Sequence, residues 1–161
     1  MKSIAMILCA AALLCGCVNT PQKSPECIAI ETVYTVDRDI AANSKTIAEA
    51  LAKEKSISLA GCPADFTKAY KANIAAWEKM ADIEKKMYAS GNISKAVSDI
   101  KDYLSKYQSD PTAAAVNLKT QWASLANSID AAAAEIARTF GEYTSIGAKY
   151  GAVYGKSNKI F

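Results

Sequence analysis

Cysteine is the reactive side chain that stands out in this sequence, and histidine is absent. The 161 residues contain five cysteines, at positions 9, 15, 17, 27 and 62. Without histidine, the chain has neither a Ser-His-Asp nor a Cys-His nucleophile, and it has no histidine ligand for a metal ion. Cysteines 9, 15 and 17 lie so near the N-terminus that their chemistry depends on what the N-terminal segment is.

The first 17 residues have the pattern of an export signal. Lys2 is followed by an apolar run over residues 4–14, which is too short to span a bilayer but suits the core of a secretory signal. The run ends in Leu14-Cys15-Gly16-Cys17, with an aliphatic residue and two small residues before a cysteine. This segment resembles the lipobox of bacterial lipoproteins, in which the cysteine thiol receives a diacylglycerol group and the signal is cleaved before that cysteine.

The resemblance implies that residues 1–16 are a signal peptide and that Cys17 carries the lipid. Several acyl chains, at about 0.8 kcal/mol per buried CH₂, would then hold the protein on the membrane. Val18 stands where aspartate marks inner-membrane retention, which implies the outer membrane, with the domain in the periplasm or at the cell surface. Residues 17–26 are predicted to be the lipidated N-terminus and a flexible tether, and residues 27–161 the folded domain. An ordinary cleaved signal and an uncleaved anchor are the alternatives.

Cys27 and Cys62 are the two cysteines of the predicted domain. In an oxidising compartment, an even pair in a small exported domain is most simply a disulfide. The bridge would close a loop of about 35 residues and stabilise the domain by roughly 3 to 4 kcal/mol. A two-cysteine metal site and a catalytic thiol are the weaker alternatives, because no histidine is present as a further ligand or as a base. No metal and no cofactor are therefore expected.

Two pairs of acidic residues, Asp37 with Asp39 and Asp99 with Asp102, are the other candidates for chemistry. Paired carboxylates catalyse glycan hydrolysis only where a cleft holds them together, so these pairs are interpreted as solvated helix faces. Lytic transglycosylases carry serine directly after their catalytic glutamate, and no glutamate here is followed by serine. The chain is therefore not expected to be an enzyme.

The composition of the chain indicates helices. Seven glycines and four prolines are few for 161 residues, and alanine and lysine are abundant. We predict an all-α fold, an antiparallel bundle of three to four amphipathic helices with one disulfide.

Local signals predict the ends of four helices. The first helix is expected over residues 33–53, after a β-branched stretch that begins extended at Ile28. The second begins at Pro63 and ends at residues 90–92, and the third follows from Asn92 as its N-cap. The fourth begins at Pro111, runs through Phe140 and bends or breaks near Gly141.

The spacing of the large side chains predicts which helix faces are buried. The third helix has a predicted seam of apolar side chains, comprising Ile93, Val97, Ile100, Leu104 and Tyr107. Five further aromatic residues fall on predicted inner faces and are interpreted as core, namely Phe66, Tyr70, Trp77, Trp122 and Phe140.

The C-terminal segment combines a glycine row with tyrosines. Gly147, Gly151 and Gly155 follow one another at a spacing of four residues, and Tyr143, Tyr150 and Tyr154 lie beside them. One interpretation is a helix packed closely on the bundle, or a frayed tail. The other is a tyrosine-lined interaction surface, because exposed aromatic residues are enriched at interfaces.

Together these patterns predict a non-enzymatic binding or structural module of the bacterial cell envelope. Its expected partners are the membrane, through the lipid anchor, and another envelope protein or a cell-wall component. Nucleic acid is not expected, because the net charge is only +3 and no dense run of Lys and Arg is present. An immunity or inhibitor protein against a toxin or hydrolase is one alternative, and a carboxylate-dependent glycan hydrolase is another.

Overall fold

Every regular element that the structure describes is helical. The structure is a computed structural model, and it describes residues 22–107 and 110–155. Within these ranges the α-helices are α1 (Pro25–Asn43), α2 (Ile47–Glu54), α3 (Ala64–Ala89), α4 (Ile93–Tyr107), α5 (Pro111–Gln121) and α6 (Ala126–Lys149). The all-α class is confirmed. The number of helices is larger than predicted, because the first and the last of the predicted helices are each divided in two.

The N-terminal helix begins earlier than its sequence pattern predicted. α1 starts at Pro25, and the Ser24 hydroxyl accepts a hydrogen bond from the Cys27 backbone N–H at 3.1 Å. The β-branched residues expected to be extended are therefore helical, and the predicted tether is shorter by two residues. Ile30 and Val33 are fully buried on this helix. Their burial outweighs the weak preference of β-branched residues for strands.

The predicted helix over residues 33–53 is wrong, because the chain leaves the helical conformation at Ser44. Ser44 is extended, and a new helix starts after Thr46, whose side chain accepts a hydrogen bond from the Glu49 N–H at 3.0 Å. Asn43, Ser44 and Thr46 are residues that favour helix ends over helix interiors, which is the local reason for the break.

The predicted break near Gly141 is also wrong. α6 passes through Gly141 without interruption, and the division lies at Trp122, where a short 3₁₀ turn over Ala123–Leu125 separates α5 from α6. Trp122 is buried, and its indole N–H donates to the Asp99 carboxylate at 2.7 Å. This contact to another helix holds the chain at the division, whereas one glycine inside a helix costs only about 1 kcal/mol.

α4 faces the core with only part of the predicted seam. Ile100 is buried, and Leu104 and Tyr107 pack against the core, as predicted. Ala96, Ile100 and Tyr103 are its buried residues, whereas Ile93 and Val97 are exposed. α4 packs mainly against α5, whose buried face includes Ala114 and Ala115. Alanine side chains on both buried faces leave room for the two helices to pack together.

The core of the domain lies between α3 and α6, which form the most extensive helix pair. An aromatic cluster joins this pair to α1, with edge-on contacts of Tyr34 to Phe66 and of Tyr70 to Tyr143 at centroid distances of 5.6 and 5.5 Å. Asn73 of α3 is buried and donates hydrogen bonds to the Ile136 carbonyl and the Thr139 hydroxyl of α6. None of the helices described here is long and apolar enough to cross a membrane.

Replacing Gly147 by alanine is predicted to destabilise the fold. A Cβ at this position would lie 2.0 Å from Tyr34 Oη, and Tyr34 is held by its aromatic neighbours and by a hydrogen bond to the Tyr143 carbonyl. We expect Gly147→Ala to lower the free energy of unfolding by about 1–3 kcal/mol in urea denaturation, because of this overpacking.

Gly141→Ala is the matched control, because Gly141 lies in the same helix and a Cβ there meets nothing within 4 Å. This variant should be up to about 1 kcal/mol more stable, as alanine favours the helix. Equal effects of the two substitutions would contradict the close contact between Gly147 and Tyr34.

Candidate functional site

A cavity of about 440 Å³ lies among the helices, bordered by α1 to α4, the start of α5, α6 and the segment after it. Five aromatic side chains form much of its wall: Trp77, Tyr107, Phe140, Tyr143 and Tyr154. Pro111 and Gly155 also border it and are exposed, so the cavity reaches the surface beside them. Its volume is within the range of small-molecule sites, which are mostly apolar with a few polar groups.

Asp37 is the first of two carboxyl groups in the cavity. Its two oxygens accept hydrogen bonds from the Tyr70 hydroxyl at 2.9 Å and the Tyr154 hydroxyl at 3.1 Å. Burial raises the pKa of Asp37, while the two hydroxyl donors and the positive charge of Arg38 lower it. The pKa values of Tyr70 and Tyr154 are raised, first by burial and then by the charge of Asp37, so both tyrosines remain donors.

Glu54 is the second carboxyl group, and it differs from Asp37 in having no partner. It is the last residue of α2, only 9% of it is exposed, and it borders the cavity. Among residues 22–107 and 110–155, no hydrogen-bond donor acts on its carboxyl group, and the carboxyl oxygens are open to the cavity rather than sealed in the core. Burial, and then the negative charge of Asp37, raise the pKa of Glu54 to about 8.

Arg38 adds a donor to the same cavity. Its Nε is buried and has no hydrogen-bond partner in the part of the chain that the structure describes. The guanidinium charge acts on Asp37, whose pKa it lowers. The cavity therefore combines aromatic walls with one saturated carboxylate, one cation and one unpaired carboxyl group.

Glu84 positions the helix that carries Glu54. Glu84 is buried on α3, and its carboxylate accepts hydrogen bonds from the backbone N–H groups of Ile47 and Ala48 at 3.2 and 3.0 Å. These N–H groups belong to the first turn of α2, which has no partners for them within the helix. The Tyr88 hydroxyl donates to the same carboxylate at 2.9 Å. α2 is thus tied to α3 at its start.

The structure places the predicted tyrosine-glycine surface in three different environments. Tyr143 and Gly147 are buried and do not form an exposed surface, although Tyr143 also borders the cavity. Tyr150 is half-buried and donates to Asp65 at 3.1 Å. Tyr154 borders the cavity. Gly151 and Gly155 follow the end of α6 and have positive φ angles of 83° and 92°, so the glycines do not form one helical row.

The predicted cysteine sites are only partly within the described residues. Cys17 lies outside them. Cys27 is buried and Cys62 half-buried, both carry free thiols, and burial raises the pKa of each. A Cβ on Gly61 would lie 3.4 Å from the Ala29 Cβ, so the loop before Cys62 passes directly beside the start of α1. Across residues 22–107 and 110–155, no group of three or more cysteine or acidic side chains is placed to hold a metal ion.

The acid pair in the cavity is not one of the two predicted pairs. Asp39 is exposed, and Asp99 and Asp102 form ion pairs with Lys95 and Lys106. The sequence does indicate that Glu54 faces inward. Glu54 lies three positions after Leu51 and seven after Ile47, so it falls on the apolar stripe of α2. A carboxyl group on an apolar stripe must either find a partner or border a cavity.

Two of the aromatic residues predicted as core also belong to the cavity wall. Phe66, Tyr70 and Trp122 are buried as expected, whereas Trp77 and Phe140 are half-buried and border the cavity. Apolar periodicity does not separate these two groups, since both lie on inward helix faces.

Comparison of the chain with protein families, with curated proteins and with solved structures finds no match.

The Glu54 carboxyl group is predicted to make the stability of the protein fall as the pH rises. Its pKa is about 8 in the folded protein and near the ordinary 4.5 in the unfolded chain, so between these values the folded state holds a proton that the unfolded state has released. The free energy of unfolding should therefore decrease by about 1.4 kcal/mol per pH unit from this group. Urea denaturation between pH 5 and pH 8 measures the slope.

Glu54→Gln should remove this contribution, because glutamine does not titrate. Glu142→Gln is the control, since Glu142 is exposed on α6 and pairs with Arg138 at the surface. The slope of Glu142→Gln should match that of the unaltered protein. An unchanged slope in Glu54→Gln would show that Glu54 is not buried without a partner.

Proposed function

We propose that the protein is a lipoprotein anchored to the outer membrane, and that its helical domain is a non-enzymatic binding module of the cell envelope. The observation that carries the binding role is the aromatic cavity with its unpaired Glu54. A carboxyl group that is largely withdrawn from water and has no donor is costly in its ionised form, so its presence in an accessible cavity favours a ligand that supplies the partner. The lipobox at Cys17 supports the anchor.

The short connection between the lipid and the domain limits where binding takes place. α1 starts at Pro25, so the chain from Cys17 to Ser24 reaches at most about 25 Å when fully extended. The domain would therefore work close to the membrane surface. A cell-wall component or another envelope protein is the expected partner, as either can be met at that distance.

The antiparallel order of neighbouring helices and the Cys27–Cys62 disulfide belong to this proposal as well. The two thiols are not joined in the structure, and the support for the bridge is the passage of the loop at Gly61 beside Ala29, which brings the chain before Cys62 next to the helix that contains Cys27. Free thiols on both residues in protein isolated from an oxidising periplasm would count against it.

A glycan hydrolase is the second candidate function, and one observation favours it. Asp37 and Glu54 border the same cavity, and the raised pKa of Glu54 is typical of a general acid. The two hydrogen bonds that Asp37 accepts from tyrosines make it a weaker base and nucleophile. Release of sugar fragments from purified peptidoglycan, lost in Glu54→Gln, would establish this activity in place of simple binding. The immunity or inhibitor role stays an alternative without a structural feature in its favour.

The lipid anchor is tested by replacing Cys17. In a Gram-negative host grown with labelled palmitate, the unaltered protein should carry the label and fractionate with the outer membrane. Cys17→Ser should carry no label and leave the outer-membrane fraction, because a serine hydroxyl does not form the thioether. An unlabelled wild-type protein, or one found in the cytosolic fraction, would overturn the proposed location.

The binding role is tested by photo-crosslinking in intact cells. Pro111 is exposed at the cavity, so a benzophenone amino acid at position 111 should form a discrete adduct with the partner, identifiable by mass spectrometry. The control is the same amino acid at Ala137, which is exposed on α6 and does not border the cavity. Equal adducts from both positions, or none from position 111, would contradict a partner at the cavity.

A further inference from the structure

The two carboxyl groups of the cavity have unequal electrostatic surroundings. Asp37 accepts two hydrogen bonds from tyrosines and lies within the influence of Arg38, which lowers its pKa. Glu54 faces the negative charge of Asp37, and no donor among the described residues reaches its carboxyl group. What the cavity lacks is therefore one positive charge beside Glu54.

We propose that the cavity binds an organic ammonium ion, whose charge lies against the Glu54 carboxylate and whose apolar part contacts the aromatic walls. This inference rests on the proposed binding function and names the chemical class of its ligand. Tryptophan and tyrosine rings attract cations through their electron-rich faces, and Trp77 and Tyr107 border the cavity together with centroids 4.8 Å apart.

The charges around the cavity favour a cation over an anion. With Glu54 ionised, Asp37 and Glu54 contribute two negative charges and Arg38 one positive charge, which leaves one negative charge to be balanced. Two lysines, Lys55 and Lys71, border a surface groove on the outer side of Glu54, which Glu54 borders as well. Lys55 pairs there with Glu78 at 2.6 Å, and neither lysine lowers the pKa of Glu54. The tyrosines that face Glu54 from α3 and α4 are Tyr70 and Tyr107, and their raised pKa values keep them neutral.

Neutral and anionic ligands fit this arrangement less well. An anion would have to lie beside two carboxyl groups. A neutral ligand gains nothing when Glu54 ionises, whereas an ammonium ion pairs with the ionised form and so favours it. Arg38 Nε, buried and without a partner in the described structure, supplies a donor for a hydroxyl or carbonyl oxygen of the same ligand. An amine that carries such an oxygen would satisfy both groups.

Calorimetry with three probes of similar shape tests the inference. The full-length lipidated protein, in a non-ionic detergent, is titrated with 2-phenylethylamine, with neutral 2-phenylethanol and with anionic 3-phenylpropionate. At pH 8 the amine should bind at least about tenfold more tightly than either of the other two. Because burial raises the pKa of Glu54 to about 8 and the amine requires the ionised form, its affinity should rise about ninefold from pH 6 to pH 7 and about fivefold from pH 7 to pH 8.

Two variants assign the effect to Glu54. Glu54→Gln should weaken amine binding at least about tenfold at pH 8, remove the pH dependence and change 2-phenylethanol binding less than about twofold. Glu142→Gln should bind all three probes like the unaltered protein. Circular dichroism of both variants verifies that they are folded.

A separate comparison distinguishes a free amine from an amino group of the cell wall, since both have the same chemistry. Purified cell-wall sacculi should sediment the protein only before their amino groups are acetylated, if the wall supplies the ammonium ion. If sedimentation is absent or unaffected by acetylation while 2-phenylethylamine still binds, the ligand is a free amine.

The remaining outcomes overturn the ammonium inference. If 2-phenylethanol or 3-phenylpropionate binds as tightly as the amine, the cavity is a binding site for a different ligand class and the proposed function stands. If no probe binds at about 10 mM, the ammonium inference fails. The proposed function is then judged separately, by crosslinking from position 111 and by the location of Cys17→Ser.

Discussion

The carboxylate of Glu84 at the start of α2 is the interaction on which the candidate site depends. α2 has only eight residues, and a helix of that length is not stable by itself in water. Glu84 accepts hydrogen bonds from two N–H groups of its first turn and places a negative charge at the positive end of the helix. Because α2 is held at this end by α3, its last residue, Glu54, is brought to the cavity.

The two ends of α2 differ in how their carboxyl groups are satisfied. At the start of the helix, every oxygen of Glu84 has a donor, including the Tyr88 hydroxyl. At the end, Glu54 is 9% exposed, against 1% for Glu84, and it has no donor among the described residues. Folding alone favours the first arrangement, since an unpaired buried carboxyl group costs free energy. The second is expected where a ligand completes the site, and the aromatic walls and accessible volume around Glu54 agree with that interpretation.

The helix ends that were predicted well are those with strong local signals. Pro63 and Gly91 delimit α3, and Asn92 precedes α4. Proline fixes its own φ, glycine readily adopts the positive φ found at Gly91, and asparagine caps helix starts, so these preferences act locally. The division at Trp122 has no such residue. It arises from the buried indole and its hydrogen bond to Asp99 on another helix, so no sequence window contains its cause. At Gly141 the local signal was misleading in the opposite direction. The low helix preference of one glycine is too weak to end α6, which is held along its length by packing.

The helical class of this protein was determined by the sequence, because few glycines and prolines and regular apolar spacings act locally, within one or two turns of chain. The pairing of Asp37 with Glu54 was decided by the tertiary structure. Asp37 was interpreted as half of a solvated pair with Asp39, and Glu54 was expected directly after a longer helix over residues 33–53. Only the break between α1 and α2, together with the contact of α2 with α3, turns both carboxyl groups toward one cavity. Contacts between distant segments set that geometry, and a pattern read along one segment does not contain them.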